Sequence, residues 1–185
     1  MNDIGANRFY IVTGGPGSGK TSLIGALRAQ GYYCAVEAGR EIIQDQVRID
    51  GRALPWRDPL LFAELMLCCD MRSYRLAELS SGPVFLDRGI PDIAGYLRLM
   101  NIPVPTHLQK AVQNFGYNRT VFIAPPWPEI FCQDQERKQD LNEAQRTYEA
   151  IATTYQAHSY ELLELPRFSI EERCRFVLDH VQHRQ

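Results

Sequence analysis

Two spacings of apolar positions alternate along this chain. Phe9-Tyr10-Ile11-Val12 is a short continuous apolar run halted by glycines, the pattern of a strand buried on both faces. Residues 32–36, 84–86, 121–124 and 160–165, the last ended by Pro166, predict four more strands. Between the runs the apolar spacing lengthens. Leu141, Ala144, Tyr148, Ile151 and Tyr155 step by three and four, as one face of a helix does. Ile170, Cys174, Val177, Leu178 and Val181 repeat that stepping behind Ser169, an N-cap with Glu172 three positions on. Residues 21–29 are helix-competent, and 58–80 predict a longer, more apolar and therefore buried helix. These stripes read as core without function. Strands alternating with helices in this way predict a parallel α/β sheet.

Two segments break the rhythm. Residues 51–59 (GRALPWRDP) are turn-rich and should cross the surface between helices. Pro125-Pro126-Trp127-Pro128 opens a charge-dense stretch that runs to about residue 140. No repeat, low-complexity tract or linker divides the chain. Its 185 residues are expected to form a single domain, which can bury about 70% of the surface of the unfolded chain.

Composition narrows the function classes. Twenty basic and 22 acidic side chains give a net charge of -2, without the basic excess expected of a nucleic-acid binder. The longest apolar runs, such as Leu65-Met66-Leu67-Cys68-Cys69, fall far short of the roughly 18 residues of a membrane span. The N-terminus has no secretion pattern, so the chain reads as cytoplasmic. Five cysteines (Cys34, Cys68, Cys69, Cys132 and Cys174) form no CxxC pair and read as small apolar fillers in a reducing compartment.

The chemistry enters at Gly14-Gly15-Pro16-Gly17-Ser18-Gly19-Lys20-Thr21, which fits G-x-x-x-x-G-K-[ST] between an apolar strand and a helix. Backbone amides can wrap a phosphate only where the loop reaches angles that glycine tolerates and where no side chain blocks the approach. The helix that follows points its positive end at the anion. Lys20 is expected to span the outer phosphates and Thr21 to offer its hydroxyl to magnesium. A second oxygen donor is expected near the carboxyl edge of a neighbouring strand. Val84-Phe85-Leu86-Asp87 supplies it, which makes Asp87 the candidate metal ligand. A hydrolytic motor would place Glu next. Arg88 stands there instead, suited to gripping the oxygens of an acceptor, which favours transfer over hydrolysis. The Asn-Lys-x-Asp step of a regulatory GTPase is missing from the sequence.

With these motifs the chain resembles the small P-loop kinases. It is most similar to a family of AAA-type ATPase domains related to the ribosylnicotinamide kinase domain of bifunctional NAD-biosynthesis regulators. The resemblance runs from about Arg8 to Val181, over YIVTGGPGSGKTSL, VEAGREII, VFLDRGIPDIAGY, FCQDQERKQD and SIEERCRFVLDHV. It implies a P-loop NTPase three-layer sandwich, a five-stranded parallel sheet in the order 2-3-1-4-5 with helices on both faces, and ATP as phosphoryl donor with magnesium. It also points to Glu37 and Arg40, just past the second strand, where related kinases place a carboxylate that orients the acceptor hydroxyl. Glu37 could take that proton, or could serve only the dipole of a helix's first turn. The stretch at about 126–140 matches the family's lid, with Arg137 the first choice and Lys138 the second for stabilising the transferring group. A charge run can equally be a solvated surface. Arg146 falls opposite an apolar helical face and is expected to be solvated or to face the lid. Asp92, after Pro91, suits a first helical turn without any function. Trp56, Trp127 and Phe131 either wall an acceptor pocket or pack.

The expectation is thus a magnesium-dependent ATP-binding protein that transfers phosphate to a small nucleoside- or nucleotide-like metabolite, with neither nucleic acid nor membrane as partner. Lys20, Glu37, Asp87, Arg88 and Arg137 carry the chemistry, and Glu37, Arg40 and Arg88 address the acceptor. The alternative is an ATP-sensing module, or a weak ATPase, that phosphorylates nothing.

Overall fold

A computed structural model of the chain describes residues 6–35, 37–130 and 140–182. Its centre is β1 (Phe9–Gly14), all six residues of which are buried. Parallel neighbours β3 (Val84–Asp87) and β4 (Thr120–Ala124) flank it, and β2 (Tyr33–Ala35) and β5 (Glu161–Glu164) close the edges. The sheet is five-stranded and wholly parallel, in the order β2-β3-β1-β4-β5. This is the predicted P-loop NTPase order. The edge strands are exposed or half-buried, whereas the three inner ones are buried throughout. The continuous apolar runs of the inner strands follow from that, since helices cover both faces.

Successive residues of β1 point to opposite faces. Tyr10 and Val12 pack with Leu23, Ile24 and Leu27 of α1 (Lys20–Ala29) and with Cys174, Val177 and Val181 of α7 (Ile170–Gln182). Phe9 and Ile11 face Tyr74 and Ala77 of α3 (Pro59–Glu78) and Ile151 and Tyr155 of α6 (Leu141–Ala157). Beyond that layer α4 (Ile90–Leu99) and α5 (Thr106–Asn114) pack with α3 through Ala63, Leu67, Ile93, Leu97 and Leu108. Each fully buried apolar side chain of this kind contributes about 1.5–3 kcal/mol.

The helix starts follow local chemistry. Ser169 and Glu172 form the predicted reciprocal cap of α7, with Glu172 N–H donating to Ser169 Oγ at 3.3 Å and Ser169 N–H to Glu172 Oε2 at 3.1 Å. Asp58 accepts from Leu61 N–H at 3.0 Å ahead of a proline at the start of α3.

Three expectations need correction. Helix α3 is not buried as a whole: Leu60, Leu61, Leu76 and Cys68 are exposed while Phe62, Ala63, Leu67, Tyr74 and Ala77 are buried, so its apolar richness serves only one face. Cys68 is accordingly no core filler, whereas Cys174 is. The second strand is shorter than 32–36, because Tyr32 precedes the ladder and Val36 lies outside the described residues. Among the described residues no helix is long and apolar enough to cross a membrane.

Candidate functional site

The chain leaves β1 at Gly14 and enters α1 at Lys20, so residues 15–19 form a loop at the carboxyl edge of the central strand. Gly14 turns at φ 130°, and a Cβ there would stand 2.3 Å from the Ala124 carbonyl oxygen of β4. Only glycine permits that approach. Gly19, at φ 76°, occupies the cap position of α1 without a side-chain hydrogen bond, which leaves the first amides of the helix for another acceptor. Lys20 is buried and folds back across the loop. Its Nζ donates to the Gly15 carbonyl at 2.6 Å and to Ser18 Oγ at 3.2 Å, and Ser18 Oγ donates to the same carbonyl at 2.8 Å. Pro16 is buried and Gly17 half-buried, while Thr21 lies exposed in the first turn of α1.

Beside the loop, β3 ends in Asp87, which pairs in register with Val12 of β1 and is buried. The sheet ladder thus puts a carboxylate level with the loop's entrance. Arg88 follows in a left-handed conformation, φ 73°, rare for a side chain of its size and found where a site over-determines the backbone. Its Nε donates to Glu37 Oε1 at 2.9 Å and its Nη1 to Asp92 Oδ1 at 3.1 Å. Burial works against the guanidinium's charge. The carboxylates of Glu37, Asp92 and Asp87 outweigh it and hold the pKa above the ordinary arginine value. Glu37 occupies the N-cap position of α2 (Ala38–Arg48) without a side-chain capping hydrogen bond, and Arg40, in the first turn of α2, is exposed.

Asp92 is far more than a helix-turn acid. It accepts from Gly89 N–H at 3.0 Å, from Tyr155 Oη at 2.5 Å, from Arg88 and from Thr13 Oγ1. It therefore joins β1, the Asp87–Gly89 turn and α6 through one buried carboxylate. Burial first, and then the Asp92 charge, raise the Tyr155 pKa well above its usual value, so the hydroxyl remains a donor.

A residue that sequence reasoning missed completes the cluster. Asp70 of α3 lines a small cleft with Ala35, Ser73, Asp87, Arg88 and Tyr117. Burial, and then the Asp92 carboxylate, push the Asp70 carboxyl up to about 8, with Arg88 opposing. Asp70 is the single charge within Leu65-Met66-Leu67-Cys68-Cys69-Asp70-Met71, and that interruption was the available signal. Asp92 had a signal as well, an acid three positions after Gly89 at a helix start.

The remaining candidates separate. Trp56 is 61% exposed and does not wall a buried pocket. Arg146 is exposed on α6, as its helical phase implied. Trp127 is half-buried beside Arg173 of α7, whose guanidinium carbon lies 5.6 Å from the centre of the indole ring. Arg137, Lys138 and Phe131 lie outside the described residues, as does most of the 126–140 stretch.

Solved structures share this fold. Deoxyadenosine kinase from M. mycoides, in its complex with the products dCMP and dCDP, superposes with a TM-score of 0.68 at 10% identity, covering 95% of this chain and 99% of that one. The same kinase with bound dATP gives 0.63 at 11% identity over 95% and 99%. Thymidylate kinase from Ehrlichia chaffeensis gives 0.60 at 15% identity over 96% and 99%. At such identities the likeness is one of fold. Among curated proteins there is no sequence match. The model of the AAA domain family covers residues 9–173, from the first residue of β1 into α7, and the chain belongs to that family.

Proposed function

We propose that this protein is a kinase-type phosphotransferase that moves the terminal phosphoryl group of ATP to a hydroxyl of a small nucleoside- or nucleotide-like acceptor. The observation that carries the reading is Lys20, buried and held across a glycine loop whose helix amides have no side-chain cap. The loop amides of residues 14–21 and Lys20 bind the β- and γ-phosphates. In this reading Lys20 Nζ gives up the Gly15 carbonyl for phosphate oxygens. Thr21 and Asp87 fit magnesium, since both offer hard oxygens at the loop's edge. Among the described residues no cluster of three or more ligating side chains stands ready for a protein-only metal cage. Bound there, magnesium neutralises charge on the phosphate oxygens.

Glu37 is the proposed base. It takes the proton of the acceptor hydroxyl as the bond from that oxygen to the γ-phosphorus forms and the bond to the bridging oxygen of ADP breaks. Arg88, held by Glu37 and Asp92, positions Glu37 and brings positive charge to the acceptor side, and Arg40 addresses the acceptor from α2. Arg137, with Lys138 behind it, is the proposed cation over the transferring group. The acceptor class follows the resemblance to nucleoside kinases and to ribosylnicotinamide kinase domains.

The test is ADP release with magnesium across a panel of nucleosides, nucleotides and ribosylnicotinamide. Acceptor-dependent release, lowered at least about 100-fold in Lys20→Ala, is the expected result. Slow release indifferent to every acceptor would leave the ATP-sensing module. Mg-ATP affinity unaltered in Lys20→Ala would remove the assignment of the loop itself.

A further inference from the structure

Helix α7 sends one charged side chain inward. Arg173 is 2% exposed, one of the largest fully buried side chains of the protein, on the same face as Val177 and Val181. Its Nη1 donates to the Ser18 carbonyl oxygen at 3.1 Å, and the same nitrogen stands 2.7 Å from where a Cβ on Gly19 would lie. The other side of the guanidinium meets the Trp127 indole. Two further facts set this arginine apart. Its Nε is buried with no hydrogen-bond partner, and among the described residues no carboxylate lies within ion-pairing distance. Burial lowers its pKa, as expected of a cation withdrawn from water.

A buried, unpaired guanidinium is costly to a fold, and removing one is often neutral or stabilising. Packing alone would be better served by Leu or Met. The place where this cation is spent is informative: it touches the phosphate loop and, among the described residues, no carboxylate. The Ser18–Gly19 peptide is planar and trans, so holding the Ser18 carbonyl toward α7 turns the Gly19 N–H the opposite way. We propose that Arg173 is a positioning residue of the phosphate loop, bracing the Ser18–Gly19 peptide from behind while a bound nucleoside triphosphate supplies the counter-charge that its guanidinium lacks among the described residues. This rests on the reading of residues 14–21 as the nucleotide site. It adds a determinant some 150 residues away in sequence, outside the glycine motif.

The inference predicts opposite signs for stability and affinity, which a purely structural arginine would not give. Arg173→Met is expected to melt, without nucleotide, no lower than the parent protein, and to bind Mg-ATP at least about tenfold more weakly by calorimetry. Arg173→Lys, which restores the charge, is expected to recover most of that affinity. Affinity within about twofold of the parent in Arg173→Met overturns the proposal, whatever its melting temperature. If both stability and affinity fall, the lysine variant decides, and failure to regain affinity overturns it. If Arg173→Met does not fold, Arg173→Gln takes its place, keeping a donor for Ser18 without the charge, under the same outcomes. Lys20→Ala is the control that separates the two readings. With binding lost there and retained in Arg173→Met, only the role of Arg173 falls. If the parent protein itself takes up no Mg-ATP, both fall.

Discussion

Arg88 and Glu37 stand 51 positions apart in the chain, and Arg88 Nε donates to Glu37 Oε1 at 2.9 Å from the turn that follows β3. Both side chains are largely buried, so the contact is an ion pair with little solvent screening. The pair ties the start of α2 to the carboxyl edge of the sheet and gives the proposed base one fixed orientation.

Replacing Glu37 with Gln keeps its shape and an acceptor for Arg88 while removing its capacity to take a proton. Turnover is expected to fall by about 10²–10⁴ with Mg-ATP affinity little changed. Steady-state kinetics alongside calorimetry check this. A variant with turnover near that of the parent would leave Glu37 only its structural ion pair with Arg88.

Asp92 gathers donors from Thr13, Arg88, Gly89 and Tyr155. Asp92→Ala leaves two buried hydroxyls without their acceptor and Arg88 with Glu37 as its remaining ion-pair partner, and should cost about 2–4 kcal/mol in urea unfolding. A loss below about 1 kcal/mol would show that these donors find other acceptors.

The Asp70 carboxyl, raised from 3.8 to about 8, binds its proton more tightly in the folded protein than in the unfolded chain. Its contribution to stability is complete below about pH 4 and is lost as pH rises through about 8. Asp70→Asn, neutral at every pH, should therefore gain on the parent protein as pH climbs from 5 to 9. Urea midpoints at pH 5, 7 and 9 measure it. A constant difference between the two proteins across that window would count against a protonated Asp70.

Ser169→Ala removes one half of the reciprocal cap of α7. The expected cost is about 1 kcal/mol, or about 2–4 °C of melting temperature for a protein of this size. Calorimetric melting resolves a shift of that order, and Ser169→Asn, which keeps a capping oxygen, should remain close to the parent.

Much of this architecture is legible in the amino-acid sequence, because local patterns carry it. Phe9-Tyr10-Ile11-Val12, the glycines after it and the Ser169–Glu172 pair each state a strand, a turn or a helix start within a few residues. The loop and Asp87 follow from motif and strand edge. What stays hidden depends on contacts between distant segments. Asp70 interrupts an apolar run and Arg173 sits among other charged residues at the start of α7, and nothing local tells that either side chain turns inward or which partner or loop it meets. The position of Arg88 after Asp87 suits it to an acceptor's oxygens, but its engagement by Glu37 and Asp92 depends on where α2 and α4 come to rest. The exposed side of α3 escaped for a related reason: apolar content is a property of composition, whereas burial depends on what packs against each face.

The pairing of Val12 with Asp87 has a consequence for how freely the interior can change. The height of the carboxylate relative to the glycine loop is measured out in peptide units of two adjoining strands, so the ruler is main chain. Exchanges of side-chain volume among Tyr10, Phe85, Phe122 and their neighbours can alter melting temperature while leaving that spacing intact. A one-residue slip of β3 against β1 would instead displace the carboxylate by about 3.3 Å and send its side chain to the opposite face. Tolerance in the core and intolerance in the ladder are therefore two sides of one construction.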